Sequence, residues 1–331
     1  MFYRMFPGGK EGRLMKKITN TAGAFIIPFR GTGLIRELDW LDSALKSIES
    51  QTDDNWIVFV IDDKTLCEKS VYFLAEKEKQ FSGKLKLLRM CENKGPGVAR
   101  NIGIAEAAKY GCPIVMYLDA DDVAHPRRLE VVRDLIIRRN VADVLYSTFE
   151  IIDEYGERVP ENSVTPSILE ILETHSASPP EGKDFWIQMA VETGYVNLTS
   201  STSVRTEIAL GNPFPEERIS EDFYTWMTYS ASGAVYGYTP EVPSKYRIPQ
   251  ACSGSTSRER EGGIGNFNRE KCRIDIEGFE KSAEIALNHG TISRRELSEI
   301  RRKFLLRRAK SMELDGEYDL AEKLRFDAVL S

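Results

Sequence analysis

The sequence contains few cysteines and no long apolar run. Its five cysteines are scattered through 331 residues without a CxxC pair. Neither a disulfide framework nor a structural zinc site is therefore indicated, and a reducing cytoplasm fits best. No apolar stretch approaches the roughly 20 residues that cross a bilayer, and the N-terminus lacks the apolar middle region of a secretory signal. We expect a cytoplasmic protein that is neither exported nor integral to a membrane.

Two nucleotide-binding signatures are also missing. The sequence has no GxxxxGK[ST] phosphate loop, and KGPGVARNIG at 94–103 is not a GxGxxG that follows the first strand. The net charge of -6 argues against a dedicated nucleic-acid binder. Any nucleotide bound here is expected to be a small ligand, held without a glycine-rich phosphate loop.

From residue 23 the sequence alternates short apolar runs with helical patterns, which is typical of a parallel sheet covered by helices. We predict an α/β fold with a mainly parallel central sheet flanked by helices. The predicted strands are 24–29, 56–61, 85–90, 113–118 and 143–151. The predicted helices between them are 37–50, 67–80, 96–109 and 126–139.

The regular alternation is bounded by two segments of different character. Residues 1–22 are basic and lack a clear period, which predicts a flexible leader, and we expect residues 1–14 to be dispensable. After residue 152 the alternation stops, and 153–182 is rich in Pro, Ser and Glu around a short amphipathic piece, which predicts an exposed insertion in the main domain at 23–250. Residues 251–331 predict a mostly helical C-terminal extension.

Within the main domain, order returns after the insertion. The pattern predicts a helix near 183–192, a short strand near 195–204 and a helix at 220–232.

Carboxylates follow two of the predicted strands. Asp62 and Asp63 end one strand, and Asp119, Asp121 and Asp122 follow another. Because the carboxyl ends of neighbouring parallel strands open onto one crevice, both groups are expected to face one pocket. Three like charges packed this closely favour a bound cation, and oxygen ligands suit Mg²⁺ or Mn²⁺ shared with a diphosphate. The alternative is that these acids are turn formers or helix N-caps.

Six motifs carry a resemblance to a known family. They are AFIIPFRG at 24–31 with ALKSIESQT at 44–52, VIDD at 60–63, NKGPGVARNIGI at 93–104, YLDADDVAHPRRLE at 117–130, NPFPEERISEDFYTWM at 212–227 and YRIPQACSGS at 246–255. In this order they make residues 23–250 resemble the family 2 glycosyltransferases, which have the GT-A nucleotide-diphospho-sugar transferase fold and use nucleotide sugars. The resemblance implies a nucleotide-binding half at 23–122 and an acceptor half at 123–250.

The resemblance implies roles for residues near the nucleotide. Asp63 would hydrogen-bond the base, usually uracil. Pro28, Phe29 and Arg30 would form the floor of the base and ribose site, and Arg100 would lie beside the nucleotide.

It also implies roles for residues around the diphosphate and sugar. Asp119 would lie near the ribose or sugar, and Asp121 would be the main protein ligand of the metal. Arg247 would help to neutralise the diphosphate, although the family's histidine after YR is absent. The chain also lacks the QxxRW motif and the membrane helices of processive synthases, so a polymer-building synthase is not expected.

The ED pair in RISEDFYTW matches the family's catalytic base, which assigns that role to Asp222 beside Glu221. A carboxylate that removes the acceptor's proton makes its hydroxyl a useful nucleophile. A displacement of this kind would invert the anomeric configuration. The alternative for the pair is a first-turn acidic pair after Ser220 as N-cap, and the two roles are compatible.

Four other features have structural alternatives. His125 is predicted to be a loop residue instead of a metal ligand, because Pro126 starts a helix. Trp226 and Tyr229 would either stack on an acceptor sugar or belong to the core. The basic segment 294–310 would either pack its Leu297, Ile300 and Phe304 stripe on the body or contact an anionic membrane.

The predicted function is an inverting, Mn²⁺- or Mg²⁺-dependent glycosyltransferase. It would move one sugar from a nucleotide-sugar donor, UDP-linked by analogy with the family, to a saccharide or lipid-linked glycan. Two alternatives stay open on the residues alone, a sugar nucleotidyltransferase and a catalytically silent nucleotide- or glycan-binding module. Against the first, the Gly-rich phosphate loop with Arg and Lys that would follow its first strand is missing.

Overall fold

A mainly parallel sheet forms the centre of the protein. The structure, a computed structural model, describes residues 21–160, 164, 166–250 and 263–331. The strands are β1 (Gly23–Phe29), β2 (Trp56–Asp62), β3 (Leu85–Arg89), β4 (Ile114–Tyr117), β5 (Val144–Ile152), β6 (Thr202–Arg205) and β7 (Tyr236–Arg247). Their order is β3-β2-β1-β4-β6-β5-β7. Strand β6 is antiparallel to β4 and β5, and the other pairs are parallel.

Helices cover the sheet and form the C-terminal region. The helices of the main domain are α1 (Ile35–Glu49), α2 (Glu68–Gln80), α3 (Pro96–Lys109), α4 (Arg128–Val132), α5 (Pro166–Ala177), α6 (Phe185–Gln188), α7 (Thr206–Gly211) and α8 (Glu221–Ala231). Helices α4 and α6 continue as π-helical turns at Arg133–Arg138 and Met189–Thr193. The C-terminal helices are α9 (Ile264–Asn288), α10 (Arg294–Leu314) and α11 (Tyr318–Leu330).

The central strands are apolar because helices cover both of their faces. All seven residues of β2 and six of the seven in β1 are buried, as expected for parallel strands inside a layered fold. Helix α3 lies very close to β1, since a Cβ at Gly103 would stand 2.6 Å from Ile26 Cγ2. Pro96 starts α3 where its missing N–H costs nothing. The predicted parallel sheet and its first four helices are therefore confirmed, and α3 has the predicted bounds.

The short strand predicted near 195–204 begins later than expected. A 3₁₀ turn occupies Thr199–Ser201, and the strand runs from Thr202 to Arg205. Thr202 Oγ1 donates to the Leu198 carbonyl at 2.8 Å, and Asn197 Nδ2 donates to Thr202 Oγ1 at 2.8 Å. These side-chain hydrogen bonds hold a local turn in place of ladder pairing.

The segment 153–182, predicted as an exposed insertion around a short amphipathic piece, is not exposed along its whole length. Helix α5 packs on β5, where Ile171 is buried against Phe149 and Ile151. His175 is 5% exposed and bonds the Val196 carbonyl through Nε2 at 2.6 Å. Composition misled here because Ile168, Ile171 and Leu172 of this polar segment lie on one covered face.

The C-terminal helices pack on the main domain through α8 and the turn after α6. Phe279 of α9 stacks on Phe304 of α10, with ring centroids 4.3 Å apart. Leu297 and Phe304 are buried and Ile300 is half-buried. The apolar stripe of 294–310 therefore packs on the body of the protein, which was the first of the two alternatives for this segment. A capping box between Ser293 and Glu296 starts α10.

Other expectations are settled by burial. Trp226 and Tyr229 are completely buried, so they belong to the core, and the acceptor-stacking alternative is wrong.

The predicted leader is described only at residues 21–22; residues 1–20 and 251–262 lie outside the described residues. Within the described part of the chain, no helix is long and apolar enough to cross a membrane.

Candidate active site

The ends of β1 and β2 meet at one edge of the sheet. The backbone N–H of Asp63 donates to the Phe29 carbonyl at 2.8 Å. Asp62 is buried, and its carboxylate accepts bonds from the Thr65 N–H at 2.8 Å and Arg89 Nε at 2.9 Å. Asp62 therefore holds the turn after β2, as its turn-forming alternative predicted. Pro28 is half-buried beside this edge.

Asp63 connects the end of β2 to the start of α3. Its Oδ1 accepts the Lys94 N–H at 2.8 Å and its Oδ2 accepts the Gly95 N–H at 2.9 Å. Each carboxylate oxygen has a second acceptor position, so a nucleotide base is still a chemically possible partner. Phe29 is buried and Arg30 is exposed at the same edge.

Arg100 of α3 joins the DADD turn to the start of α8. Its Nη1 donates to Glu221 Oε1 and its Nη2 to Asp119 Oδ1, both at 2.7 Å. The Arg100 side chain is 3% exposed and its guanidinium carbon lies 5.3 Å from the centroid of the Phe214 ring. Burial opposes its charge, but Asp119 and Glu221 raise the pKa of Arg100. The Arg100 guanidinium therefore stays charged and binds two carboxylates through its two Nη atoms.

The three aspartates of the DADD turn differ in their exposure. Asp122 is buried, with Oδ1 accepting the Arg247 N–H at 2.8 Å. Burial, followed by the charges of Asp121 and Asp119, raises the pKa of Asp122. The Asp119 side chain is 31% exposed and Asp121 is half-buried. The turn therefore leaves Asp119 and Asp121 partly exposed and keeps Asp122 inside.

Arg247 holds the DADD turn from the end of β7. Its Nε donates to the Asp121 carbonyl at 2.7 Å, and its Nη1 donates to the Asp153 carbonyl at 2.6 Å. Its guanidinium carbon lies 5.4 Å from the centroid of the Trp40 ring. The positive charge of Arg247 is thus fixed beside the backbone of Asp121.

The donor set fits Mg²⁺ or Mn²⁺ in an open site. These ions are commonly bound by one or two carboxylates, waters and the phosphates of a substrate. The half-buried Asp121 would supply one such carboxylate, with Asp119 two residues away. Among the described residues there is no group of three or more His, Cys, Asp or Glu side chains arranged for a metal, so an all-protein cage is not what this turn provides. His125 accepts the Arg127 N–H at 3.2 Å through Nδ1, consistent with the predicted loop position.

Asp222 stands at the start of α8, beside Glu221 and Arg100. Its Oδ1 accepts the Phe223 N–H at 2.9 Å, and its Oδ2 accepts the Thr199 hydroxyl at 3.3 Å. Burial raises the pKa of Asp222 to about 6, although Arg100 acts in the opposite direction. This carboxylate has the pKa that a general base needs near neutral pH.

Two supporting residues were not singled out from the sequence. Ser200 Oγ accepts the Asp119 N–H at 2.9 Å, and Thr199 donates to Asp222. The only sequence signal was the run of small polar residues NLTSSTS at 197–203, in which single positions have no distinguishing feature. Ser220 occupies the N-cap position of α8 with Glu221 and Asp222 in the first turn, as the alternative predicted, but its hydroxyl makes no bond to the helix and donates to Asp275 Oδ1 at 2.5 Å.

Solved structures with similar folds bind nucleotide sugars. Residues 1–349 of TarS from S. aureus, in complex with UDP-GlcNAc, have 15% identity and a TM-score of 0.54, covering 93% of this chain and 89% of that one. The mannosyltransferase PcManGT from Pyrobaculum calidifontis, in complex with GDP-Man and Mn²⁺, has 13% identity and a TM-score of 0.53, covering 92% and 86%. At these identities the likeness establishes the shared GT-A fold.

Sequence comparison gives the family. An uncharacterised glycosyltransferase from Rickettsia conorii is 26% identical over 248 residues, which cover 74% of this chain. The matched part spans 35% of that longer protein. The sequence model described as "Glycosyl transferase family 2" matches residues 25–190, half of the chain, including the ends of β1 and β2 and the DADD turn. This chain therefore belongs to glycosyl transferase family 2.

Proposed function

We propose that this protein is an inverting, metal-dependent glycosyltransferase of the hexosyltransferase type. It moves one sugar from a nucleotide-sugar donor, UDP-linked, to a hydroxyl of a saccharide or lipid-linked glycan. The observation that carries the proposal is the buried Arg100, which joins Asp119 of the DADD turn to Glu221, next to the carboxylate of Asp222. This bridge of ion pairs supports a site in which the nucleotide-binding edge and the base lie close together.

The donor occupies the edge formed by residues 23–122. Pro28, Phe29 and Arg30 line the base and ribose site, and Asp63 hydrogen-bonds the base. Asp119 contacts the ribose or sugar, and Arg247 places positive charge near the diphosphate. The relatives' complexes with UDP-GlcNAc and GDP-Man support a nucleotide sugar of either base, and the Asp63 assignment favours UDP.

The acceptor approaches from the half formed by residues 123–250. Asp222 removes the proton of the attacking hydroxyl as its oxygen bonds to the anomeric carbon, while the bond to the diphosphate oxygen breaks and its electrons leave with the nucleotide. Thr199 and the Phe223 N–H orient the carboxylate. A single displacement from the opposite side inverts the anomeric centre. Mn²⁺ or Mg²⁺ bound by Asp121 would stabilise the charge of the departing diphosphate.

Thermal unfolding with nucleotides tests the donor site. We expect UDP with Mn²⁺ to raise the unfolding temperature, because a ligand that binds only the folded state stabilises it. GDP, CDP and dTDP should have smaller effects, a chelator should remove the shift, and Asp121→Asn should abolish it. The exposed Asp39→Asn on α1 is the control. An equal shift with chelator, or a full shift in Asp121→Asn, would contradict the metal assignment.

Turnover assays separate the proposal from its two alternatives. A glycosyltransferase releases UDP from a UDP-sugar when an acceptor or water attacks. A sugar nucleotidyltransferase would instead consume a nucleoside triphosphate and a sugar phosphate, and the family match argues against it. A silent binding module would show the UDP shift without release of UDP from any nucleotide sugar, and Asp222→Asn would then change nothing.

The proposal extends to a cytoplasmic location with peripheral contact at the inner face of the membrane. A reducing compartment suits the free Cys67, Cys91, Cys112 and Cys272. The outer face of α10 exposes Arg295, Arg302, Lys303 and Lys310, and basic helices of this kind are attracted to anionic lipids.

Liposome flotation tests this contact. Vesicles that contain anionic lipid should carry the protein at low salt, because the exposed Arg and Lys side chains attract negatively charged headgroups. Neutral vesicles should not carry it. Arg295→Gln/Arg302→Gln/Lys310→Gln should lose flotation. Equal flotation with neutral vesicles, or none with anionic vesicles at low salt, would remove the membrane proposal.

A further inference from the structure

The turn before Asp222 has an uncommon backbone conformation. Ser220 has φ 53° and ψ 12°, in the left-handed region. For a residue other than glycine this conformation is unfavourable, because Cβ crowds the neighbouring carbonyl oxygen. Only three other non-glycine residues in the described part of the chain have positive φ. The backbone at Ser220 sets the direction in which α8 begins, and with it the position of Asp222.

A side chain of the C-terminal extension holds this turn. The Ser220 hydroxyl donates to Asp275 Oδ1 at 2.5 Å. Asp275 lies in α9 and is completely buried. Its Oδ2 accepts bonds from Lys271 Nζ at 2.7 Å and from Arg308 Nη1 of α10. A buried carboxylate is stable only when it is paired and hydrogen-bonded, and Asp275 is satisfied by donors from three elements.

The same extension supports the other side of Asp222. Gly194 has φ +74°, and a Cβ there would stand 2.3 Å from Arg307 Nη2. The Arg307 guanidinium therefore packs against the backbone that leads to Thr199, whose hydroxyl donates to Asp222. Arg307 thus contacts the segment before Thr199, and the adjacent Arg308 binds Asp275, which in turn holds the turn before Asp222.

We propose that Asp275 is a positioning residue for Asp222, and that helices α9 and α10 complete the active site. Asp275 does not touch the substrates. It holds Ser220 in the left-handed conformation that places Asp222 against the acceptor hydroxyl. The inference rests on the proposed function and adds that the helical extension is required for the rate of transfer and not for donor binding.

Two substitutions at Ser220 give the sharpest test. Ser220→Ala keeps the steric cost of a positive φ but loses the bond to Asp275. The backbone of the turn can therefore move to a more favourable conformation and shift Asp222. Ser220→Gly also loses the bond, but glycine adopts φ 53° without steric cost. A misplacement of about 1 Å can cost about 10²-fold in rate. We therefore expect Ser220→Ala to lower kcat by about tenfold to 100-fold, and Ser220→Gly to lower it far less.

The measurement is the release of UDP from the UDP-sugar that the wild type uses, with kcat and the KM for the donor obtained separately. The KM should stay close to that of the wild type in both variants, and the UDP-induced thermal shift should be retained. Asp275→Asn should lower kcat as Ser220→Ala does. If Asp275→Asn fails to fold, the Ser220 pair still decides the result.

A matched control comes from another contact between the same two helices. Glu280 of α9 pairs with Arg301 of α10 and does not contact the Ser220 turn. Glu280→Gln should leave kcat unchanged, which separates general loosening of the extension from loss of the Asp275 contact. A purely structural role would lower the unfolding temperature of Ser220→Ala and leave kcat per folded molecule intact.

The outcomes distinguish this inference from the proposed function. An active wild type with an unchanged kcat in Ser220→Ala would overturn the inference alone, as would equal losses in Ser220→Ala and Ser220→Gly. A wild type that releases UDP from no nucleotide sugar would overturn the proposed function, and the positioning role with it.

Discussion

Asp222→Asn is expected to lower kcat for sugar transfer by about 10²–10⁴-fold, the usual contribution of general acid–base catalysis. Asparagine fills nearly the same space and still accepts the Phe223 N–H, but it cannot take the proton of the acceptor hydroxyl. The KM for the donor and the UDP-induced thermal shift should change little, because Asp222 bonds Thr199 and Phe223, which both belong to the half assigned to the acceptor.

The pH dependence of the rate tests the same assignment. Burial raises the pKa of Asp222 to about 6, and only the ionised carboxylate accepts a proton. The wild-type rate should therefore fall as the pH is lowered through about 6. Asp222→Asn should lack this limb in its residual activity, while the exposed Asp39→Asn should keep both rate and profile. A wild-type rate in Asp222→Asn would show that another group is the base.

Arg100→Met is expected to have the largest effect on folding. Removing one partner of a buried ion pair leaves an uncompensated charge and typically costs about 3–5 kcal/mol. In this protein Arg100 pairs with two carboxylates, of which Glu221 is almost fully buried. The variant should unfold at clearly lower denaturant concentration, and the start of α8 should lose its attachment to the DADD turn.

Three controls interpret that result. Arg100→Lys keeps the charge but cannot bridge two carboxylates with one planar group, so it should be intermediate. Arg100→Met/Glu221→Gln should recover part of the loss, because the buried negative charge is also removed. Arg127→Met, which breaks an exposed pair with Glu130, should hardly move the denaturation midpoint. Equal midpoints for Arg100→Met and Arg127→Met would contradict a stabilising role for the Arg100 network.

Much of the fold could be predicted because its signals are local. Strands β1, β2 and β4 are almost continuous apolar runs, as buried parallel strands must be, and Pro96 marks the start of α3 within its own segment. The antiparallel insertion of β6 between β4 and β5 could not be predicted, since strand order depends on contacts between residues far apart in sequence. For the same reason composition gave no sign that His175 and Ile171 lie in a covered layer.

The site was predictable as a set of residue types but not as a set of contacts. Acids at strand ends and the ED pair mark the chemistry, because only a few side chains provide carboxylates and these stand at motif positions. The sequence did not indicate that Arg100 bonds Asp119 and Glu221 together, or that Ser220 adopts a left-handed conformation and bonds Asp275 instead of capping α8.

By itself, then, the amino-acid sequence determined the α/β pattern, the family motifs and the carboxylates that the chemistry requires, since each depends on residues close together in the chain. Only the tertiary structure decided which of those carboxylates stay accessible and which are buried. It also decided that α9 and α10 support the turn before Asp222. Burial and ion pairing are properties of neighbours brought together by folding, and residues 220, 275 and 308 become neighbours only when the chain is folded.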